Sequence, residues 1–441
     1  MALPASGQID FGQIQTEFGG SNPISMNEYG DKIGLTIGTT SIHDIADFYG
    51  LSAYTPSPPD IGDFTWGTQS TYESSTSGYH SDFAMDFNNT GKGVVVYPDC
   101  DDSYKGIARV FNTNTSTGAI TYGTAVQFTT GYGHSCKVEF DPNNANKFVV
   151  MWYDTSSSTK TGNTRVGTIS GTTITFGTTE TFQSATGSQG YHRMSFDPNT
   201  SGRFLVTYKF GGNGCSRVGT ISGTSISFGT TTLWDGGSHM ESIVAFDRQT
   251  AGKFVIAWYD YGGTSNLLCI VGSISGTTIS YGTAVEVDAG YVVCNNVAFD
   301  PDEAGQFVLA GTQNTAPAYG RGESWFGTAD YTNMTVSFAT MVVYDSKPYW
   351  VDLSYDSNRS GVFFLIYRWH SGDYVMKLYW NIGNRTTAGT TIEYQTGVQV
   401  TGIGNIDNPK IKHDEVTQDV VLALYTHPTT GEAGYLRAAI I

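Results

Sequence analysis

The chain has 441 residues, a formal net charge of −17, 54 Gly, 13% aromatic and only 14% charged residues, a mixture that favours many short strands joined by tight turns. The acid surplus comes without a basic stripe, so a polyphosphate partner would be repelled and nucleic-acid binding is not expected. No run of about 18 apolar residues occurs and "MALPASGQID" lacks a basic region followed by an apolar one, so neither a membrane span nor a secretory leader is expected.

The first sixty residues differ from the rest. "DFGQIQTEFGG" (10–20) puts Phe11, Ile14 and Phe18 on one helical face. "SMNEYG" (25–30) and "SIHDIADFYG" (41–50) each read as a Ser cap with an acid three residues on, the start of a very short helix. Elements this short cannot bury enough surface to stand alone and call for a partner. "YTPSPPD" (54–60) reads as an extended, semi-rigid connection. The expected organisation is therefore an anchoring segment over 1–54, a Pro-rich linker over 55–61, and one large domain over 62–441.

From residue 83 onward a unit of about 54 residues recurs. Each copy opens with a short strand ending in an aromatic and usually Asp: "KVEFDP", "RMSFDP", "IVAFDR", "NVAFDP" and "DLSYDS". A turn follows, and then an apolar strand such as "KFVVMWYD" (147–154) or "KFVIAWYD" (253–260). A variable loop then leads to "RVGTISGTTITFGT" (165–178) and its relatives, where Ser-Gly signals a tight hairpin. Each unit thus predicts four antiparallel strands, A to D, of a propeller blade. Six copies are complete, with anchor aromatics assigned to Phe87, Phe140, Phe196, Phe246, Phe299 and Tyr355. The recurring Asp141, Asp197, Asp247, Asp300 and Asp356 are expected to cap turns.

The C-terminus supplies only strands A, B and C of a seventh unit, ending in "EAGYLRAAII". An isolated D-like copy, "FTWGTQSTYE" (64–73), stands at the front of the domain. The expected fold is therefore all-β: a seven-bladed β-propeller closed by the N-terminal strand 64–73 joining the C-terminal blade, a closure that leaves no open sheet edge.

Candidate sites are few. Cys100, Cys136, Cys215, Cys269 and Cys294 are odd in number and show no CxxC spacing, so free, mostly buried thiols are expected. "DCDDSYKG" (99–106) places Asp99, Asp101 and Ser103 at alternate positions, a partial calcium-loop pattern lacking the closing Glu. Strand A is innermost in a propeller, so the D-to-A connections ring the channel mouth. There stand Tyr79, His80, Tyr132, His134, Tyr191, His192, His239, Tyr291, Tyr349 and Trp350, whose rings suit stacking on sugars and whose imidazoles are adjustable donors. The B-to-C loops, from "GGNG" (211–214) to "NTAPAYGRGES" (314–324), vary most and are expected on the same face. Asp boxes of the form S-x-D-x-G-x-x-W are absent and no carboxylate pair stands out, so catalysis is not expected, and neither is a cofactor.

The segment "MALPASGQIDFGQIQTEFGGSNPISMNEYG" (1–30), with "ADFYG" (46–50) behind it, resembles the N-terminal segment of virion proteins of tailed bacteriophages, marine and cyanobacterial ones especially. The resemblance covers about 50 residues and implies a virion structural protein, made in the host cytoplasm. Residues 1–50 would contact other virion proteins, and the propeller would be displayed outward, tail-associated, toward a host-surface glycan or other receptor. The alternatives are a purely structural neck, tail or capsid decoration and a propeller carbohydrate hydrolase.

Overall fold

The computed structural model describes residues 59–440 apart from 75–79, 186–188, 238, 261–265, 314–320, 371–375, 386–390, 401–405, 418–419 and 428–432. The expected anchoring segment therefore lies outside the described residues. Among those described, every regular element is a strand, and no helix is long and apolar enough to cross a membrane.

Seven antiparallel sheets form seven blades. Each runs A-B-C-D, with D broken into two pieces that both pair with C; in blade 2 the strands are His134–Phe140, Lys147–Asp154, Lys160–Ser170, and Thr173–Phe176 with Glu180–Ala185. Strand B is apolar almost throughout because both of its faces are covered by neighbouring blades: Phe148 to Tyr153 are all buried. Hydrophobic clusters accordingly straddle adjacent blades, as where Val94 and Val96 of blade 1 meet Val138 and Val150 of blade 2.

The ring closes as expected. Strand C of the last blade, Ala433–Ile440, pairs with Thr65–Trp66 and Ser70–Glu73, in register Thr65↔Ile440 and Ser70↔Leu436. Phe64 packs edge-on against Trp380 and Phe364 of blade 6, and Tyr72 is buried against Tyr97 of blade 1. The end of the Pro-rich stretch is docked as well: Gln395 Nε2 donates to the Pro59 carbonyl and its Oε1 accepts from Ile61 N–H, both at 2.7 Å.

Two repeated features owe their recurrence to blade fitting. In the C-to-D hairpin of blade 2, Ser170 pairs with Thr173, so the two loop residues are Gly171 and Thr172 rather than Ser-Gly, and Gly171 takes φ +62°. That turn needs a positive φ at its first loop position, which Gly supplies without steric cost. The Gly of each "FGT" lies under the next blade's hairpin: a Cβ on Gly177 would stand 1.9 Å from the Thr224 carbonyl, and one on Gly67 3.2 Å from Gly118. The orphan copy carries its Gly for the same close approach.

The repeated Asp residues do cap turns. Asp86, Asp141, Asp197, Asp247, Asp300, Asp356 and Asp414 are all fully buried, and each accepts the N–H two residues on through Oδ1. Four also reach the next blade through Oδ2: Asp86 to Asn146 N–H, Asp141 to Gly202, Asp247 to Gly305, and Asp414 to Gly91 across the closure. This corrects the blade 1 anchor, because Asp86 occupies the position of Asp141 and Met85, not Phe87, that of Phe140. In blade 7 the anchor is His413, stacked 5.8 Å from Phe364.

Candidate functional site

The seven inner strands surround a central channel, and their first residues decide what faces its mouth. In six of the seven A–B pairings the register shifts near the start of strand A, at Ser135–Cys136, Tyr191–His192, Glu241, Asn295, Trp350 and Asn408–Pro409. Four of these bulges hold a non-glycine residue at positive φ: Ser135 (53°), Glu241 (45°), Trp350 (67°) and Asn408 (49°). A bulge re-aims side chains and persists only where its surroundings enforce it.

The bulges sort the expected rim residues. Tyr132 and His134 come together, rings 5.7 Å apart and perpendicular, and Tyr104 from the B-to-C loop of blade 1 stacks on His134 at 5.2 Å. Tyr104 follows Ser103 in a left-handed pair, both at φ 56°, and is 41% exposed. The B-to-C loop and the D-to-A connection thus share a face here, as expected. Trp350 is 37% exposed beside Tyr349, whose ring is covered by Arg368, with the guanidinium carbon 4.5 Å from the centroid.

His192 is not at the rim. The bulge turns it into the wall, 1% exposed, with Nε2 2.8 Å from the Ser135 carbonyl oxygen and its ring 4.8 Å from Tyr153. Tyr291 is half-buried edge-on against Tyr259. His80 keeps an exposed surface, yet the protein around it, with Lys137, His134 and Arg193 nearby, lowers its pKa to about 4. Enclosure lowers the His134 pKa too, against the pull of Asp154. Tyr79 lies outside the described residues, as do the side chains of Tyr191 and His239.

The 99–106 loop is a capped turn. Asp99 Oδ1 accepts from the N–H groups of Asp101 and Asp102 at 3.1 and 3.2 Å, and Asp102 pairs with Lys105 at 2.8 Å. No cluster of three or more His, Cys, Asp or Glu suited to a metal, at Asp99 and Asp101 or elsewhere, occurs among the described residues. Cys100, Cys136, Cys215 and Cys269 are in no disulfide among the described residues, and the last three are buried; burial pushes Cys215 up to about 11.

Below the rim, three positions before each anchor, stand Asp82, Lys137, Arg193, Ile243, Asn296, Asp352 and Lys410. With Glu139 and Lys412 one step lower, they line a polar cavity of about 80 Å³. The acids hold neighbouring blades together: Asp82 accepts Val138 N–H at 3.4 Å, Glu139 accepts Phe196 N–H at 3.0 Å, and Asp352 accepts Ile411 N–H at 2.9 Å and also the Asn296 amide. Burial raises the Glu139 pKa to about 7 against the pull of Lys412, and lowers that of Lys137 to about 8 with help from Arg193 and Lys410. Aligning the repeats would have exposed this layer, since the position is polar in six blades where a purely structural repeat has no need of such variety.

At the opposite end a cavity of about 220 Å³ opens among the A-to-B turns. Arg248, where three other blades carry Pro, reaches from blade 4 to Glu415 of blade 7 as an ion pair, and its guanidinium lies 5.4 Å from the centroid of Phe87.

No protein-family model and no curated relative matches this chain. Solved structures share the ring. A periplasmic gluconolactonase of Pseudomonas aeruginosa aligns with a TM-score of 0.52 at 10% identity, over 75% of this chain and 87% of its own. A Bacteroides fragilis protein bearing a provisional 6-phosphogluconolactonase name aligns at 0.51 and 11%, over 78% and 97%, and a Lactobacillus plantarum protein at 0.51 and 12%, over 75% and 87%. These likenesses show the fold alone. They do correct one expectation: catalysis was set aside at the level of the sequence, and the same ring carries enzyme names, so that exclusion is withdrawn.

Proposed function

We propose that this chain is a bacteriophage virion protein whose propeller presents the D-to-A and B-to-C face to a host-surface glycan. Two features support the reading. The segment 1–30 resembles virion N-termini, and the face carries an aromatic cluster in which Tyr104 is exposed over the half-buried Tyr132 and His134. The observation that carries the binding role is Tyr104 with Tyr132 and His134, held open by two successive left-handed residues, because flat rings exposed on a rigid scaffold suit sugar stacking. Particles carrying Tyr104→Ala and Tyr132→Ala together are expected to assemble normally and adsorb to host cells at least about tenfold less, the loss of roughly 1.4 kcal/mol of attachment. Unchanged adsorption by assembled particles would remove the glycan-binding role and leave a structural decoration.

A second reading is favoured by the channel. Glu139 near 7 and Lys137 near 8 lie in the range where general acids and bases work at neutral pH, so a hydrolase acting on a carbohydrate or its lactone is the alternative. Its test is hydrolysis of a δ-lactone by the purified chain, lost in Glu139→Gln.

A further inference from the structure

The polar cavity in the middle of the channel is asymmetric in how its charges are used. Its acids are engaged: Asp82, Glu139 and Asp352 each accept a backbone N–H from the adjoining blade. Its cations are not engaged in the same way. Among the described residues no carboxylate lies within 4.0 Å of the charged groups of Lys137, Arg193 or Lys412, and Lys410 reaches Asp352 only at 3.9 Å. Arg193 donates one bond, to the His192 carbonyl at 3.1 Å. Glu241, aimed by its bulge, adds a fourth acid within electrostatic reach of Arg193, Lys410 and Lys137.

We propose that this cavity binds a small tetrahedral oxyanion of phosphate chemistry, held by Lys137, Arg193 and Lys410 with Lys412 beneath. The cavity's size suits a single such ion. Several converging cations with free donors are what a multiply charged oxyanion requires, and charge-assisted bonds in an enclosed site are the strong ones. The Lys137 pKa is lowered first by burial and further by Arg193 and Lys410, against the pull of Asp82, so the cations add to one another's cost in the absence of an anion. The site is separate from the aromatic cluster, and its occupancy does not depend on what the rim binds.

The test uses the full chain with inorganic phosphate at constant ionic strength, chloride replacing phosphate in the control. Phosphate is expected to raise the Tm where chloride does not, with a Kd below about 1 mM at pH 7. Lys137→Gln and Arg193→Gln are each expected to weaken binding about tenfold, while Tyr104→Ala leaves it unchanged. The facing groups are His80, Asp82, Glu139, Glu241, Asp352 and the four cations. Deprotonation of Glu139 adds a negative charge and that of Lys137 removes a positive one, so affinity for the phosphate dianion, corrected for the dianion's own rising share of total phosphate, is expected to fall from pH 7 to 9. A second measurement needs no variant: acylation of Lys137 by a small amine-reactive ester, read by mass spectrometry, is slowed by phosphate. Glycerol 2-phosphate separates the sources, since equal protection assigns a phosphomonoester and protection by phosphate alone assigns the free ion. Equal stabilisation by chloride, or Lys137 labelling indifferent to both phosphates, overturns the proposal.

Discussion

The two ends of the channel are built from the same seven inner strands and use them in opposite ways. At the A-to-B end the chain repeats itself: seven buried Asp residues cap seven turns, four of them latch the next blade, and Arg248 crosses to Glu415. At the other end six of the seven inner strands begin with bulges that share no common residue pattern, and four of them hold a residue at positive φ. Blades must fit their neighbours in the same manner seven times, so recurrence marks structure. Where recurrence breaks down while the backbone accepts strain, packing is not what chose the residue.

The strongest way to break this contrast is at the closure, which belongs wholly to the structural side. Deleting residues 62–74 removes Phe64 and Tyr72 from the core and leaves Ala433–Ile440 as a bare edge. The expected outcome is loss of soluble, cooperatively unfolding protein, checked by size-exclusion chromatography and thermal unfolding. An unchanged Tm would refute closure by the N-terminal strand.

A smaller effect is expected at a single latch. Asp414→Ala strands the buried Gly91 N–H and releases the Val416 N–H of an exposed residue, and an orphaned buried donor costs roughly 1–3 kcal/mol. A loss of about 1–3 kcal/mol in denaturant unfolding is expected. A matching loss in Asp141→Ala, whose partners are the N–H groups of Asn143 and Gly202 and the Asn144 side-chain amide, would confirm that the closing seam is an ordinary seam.

The channel layer sharpens the comparison through pH. The Glu139 carboxyl is raised by burial from 4.5 to about 7 in the folded chain, so the folded state holds its proton more tightly than the unfolded one. Stability from this group is full below about pH 4.5 and is lost as pH rises toward 7. Glu139→Gln, which can still accept from Phe196 N–H, is therefore expected to match the native chain at pH 4 and exceed its Tm at pH 8. A Tm difference independent of pH would mean that Glu139 ionises as freely as in water.

Much of this was legible in the sequence and some was not, for a physical reason. The repeat, the closing strand and the Asp caps follow from spacing, because each blade must meet its neighbours in the same way. The rim followed only in part. A shift of one residue moves a side chain to the other face of a strand, and no residue type announced the bulge that turned His192 into the wall or left Trp350 outside. Met85 was missed as an anchor since it is not aromatic, and Phe87 stood two residues away as a decoy. The channel cations were hidden by treating each blade separately; they become a group only around the ring.

The last prediction concerns the smallest stability effect and falls on the irregular end. Trp350 sits at φ 67° in its bulge, 37% exposed, touching Tyr349 edge-on at 6.2 Å. A bulky residue in the left-handed region costs about 1–2 kcal/mol that Gly would not incur. Gly in turn gives up the partly buried indole and adds freedom to the unfolded chain, which offset most of that relief. Trp350→Gly is therefore expected to change stability by less than about 1 kcal/mol in either direction, whereas most substitutions of a large aromatic are clearly destabilising. If the indole is there to meet a ligand, the same variant weakens glycan binding by the isolated chain with its fold intact. A loss of several kcal/mol would instead make Trp350 part of the ring's packing, and the contrast between the two ends would no longer hold at that blade.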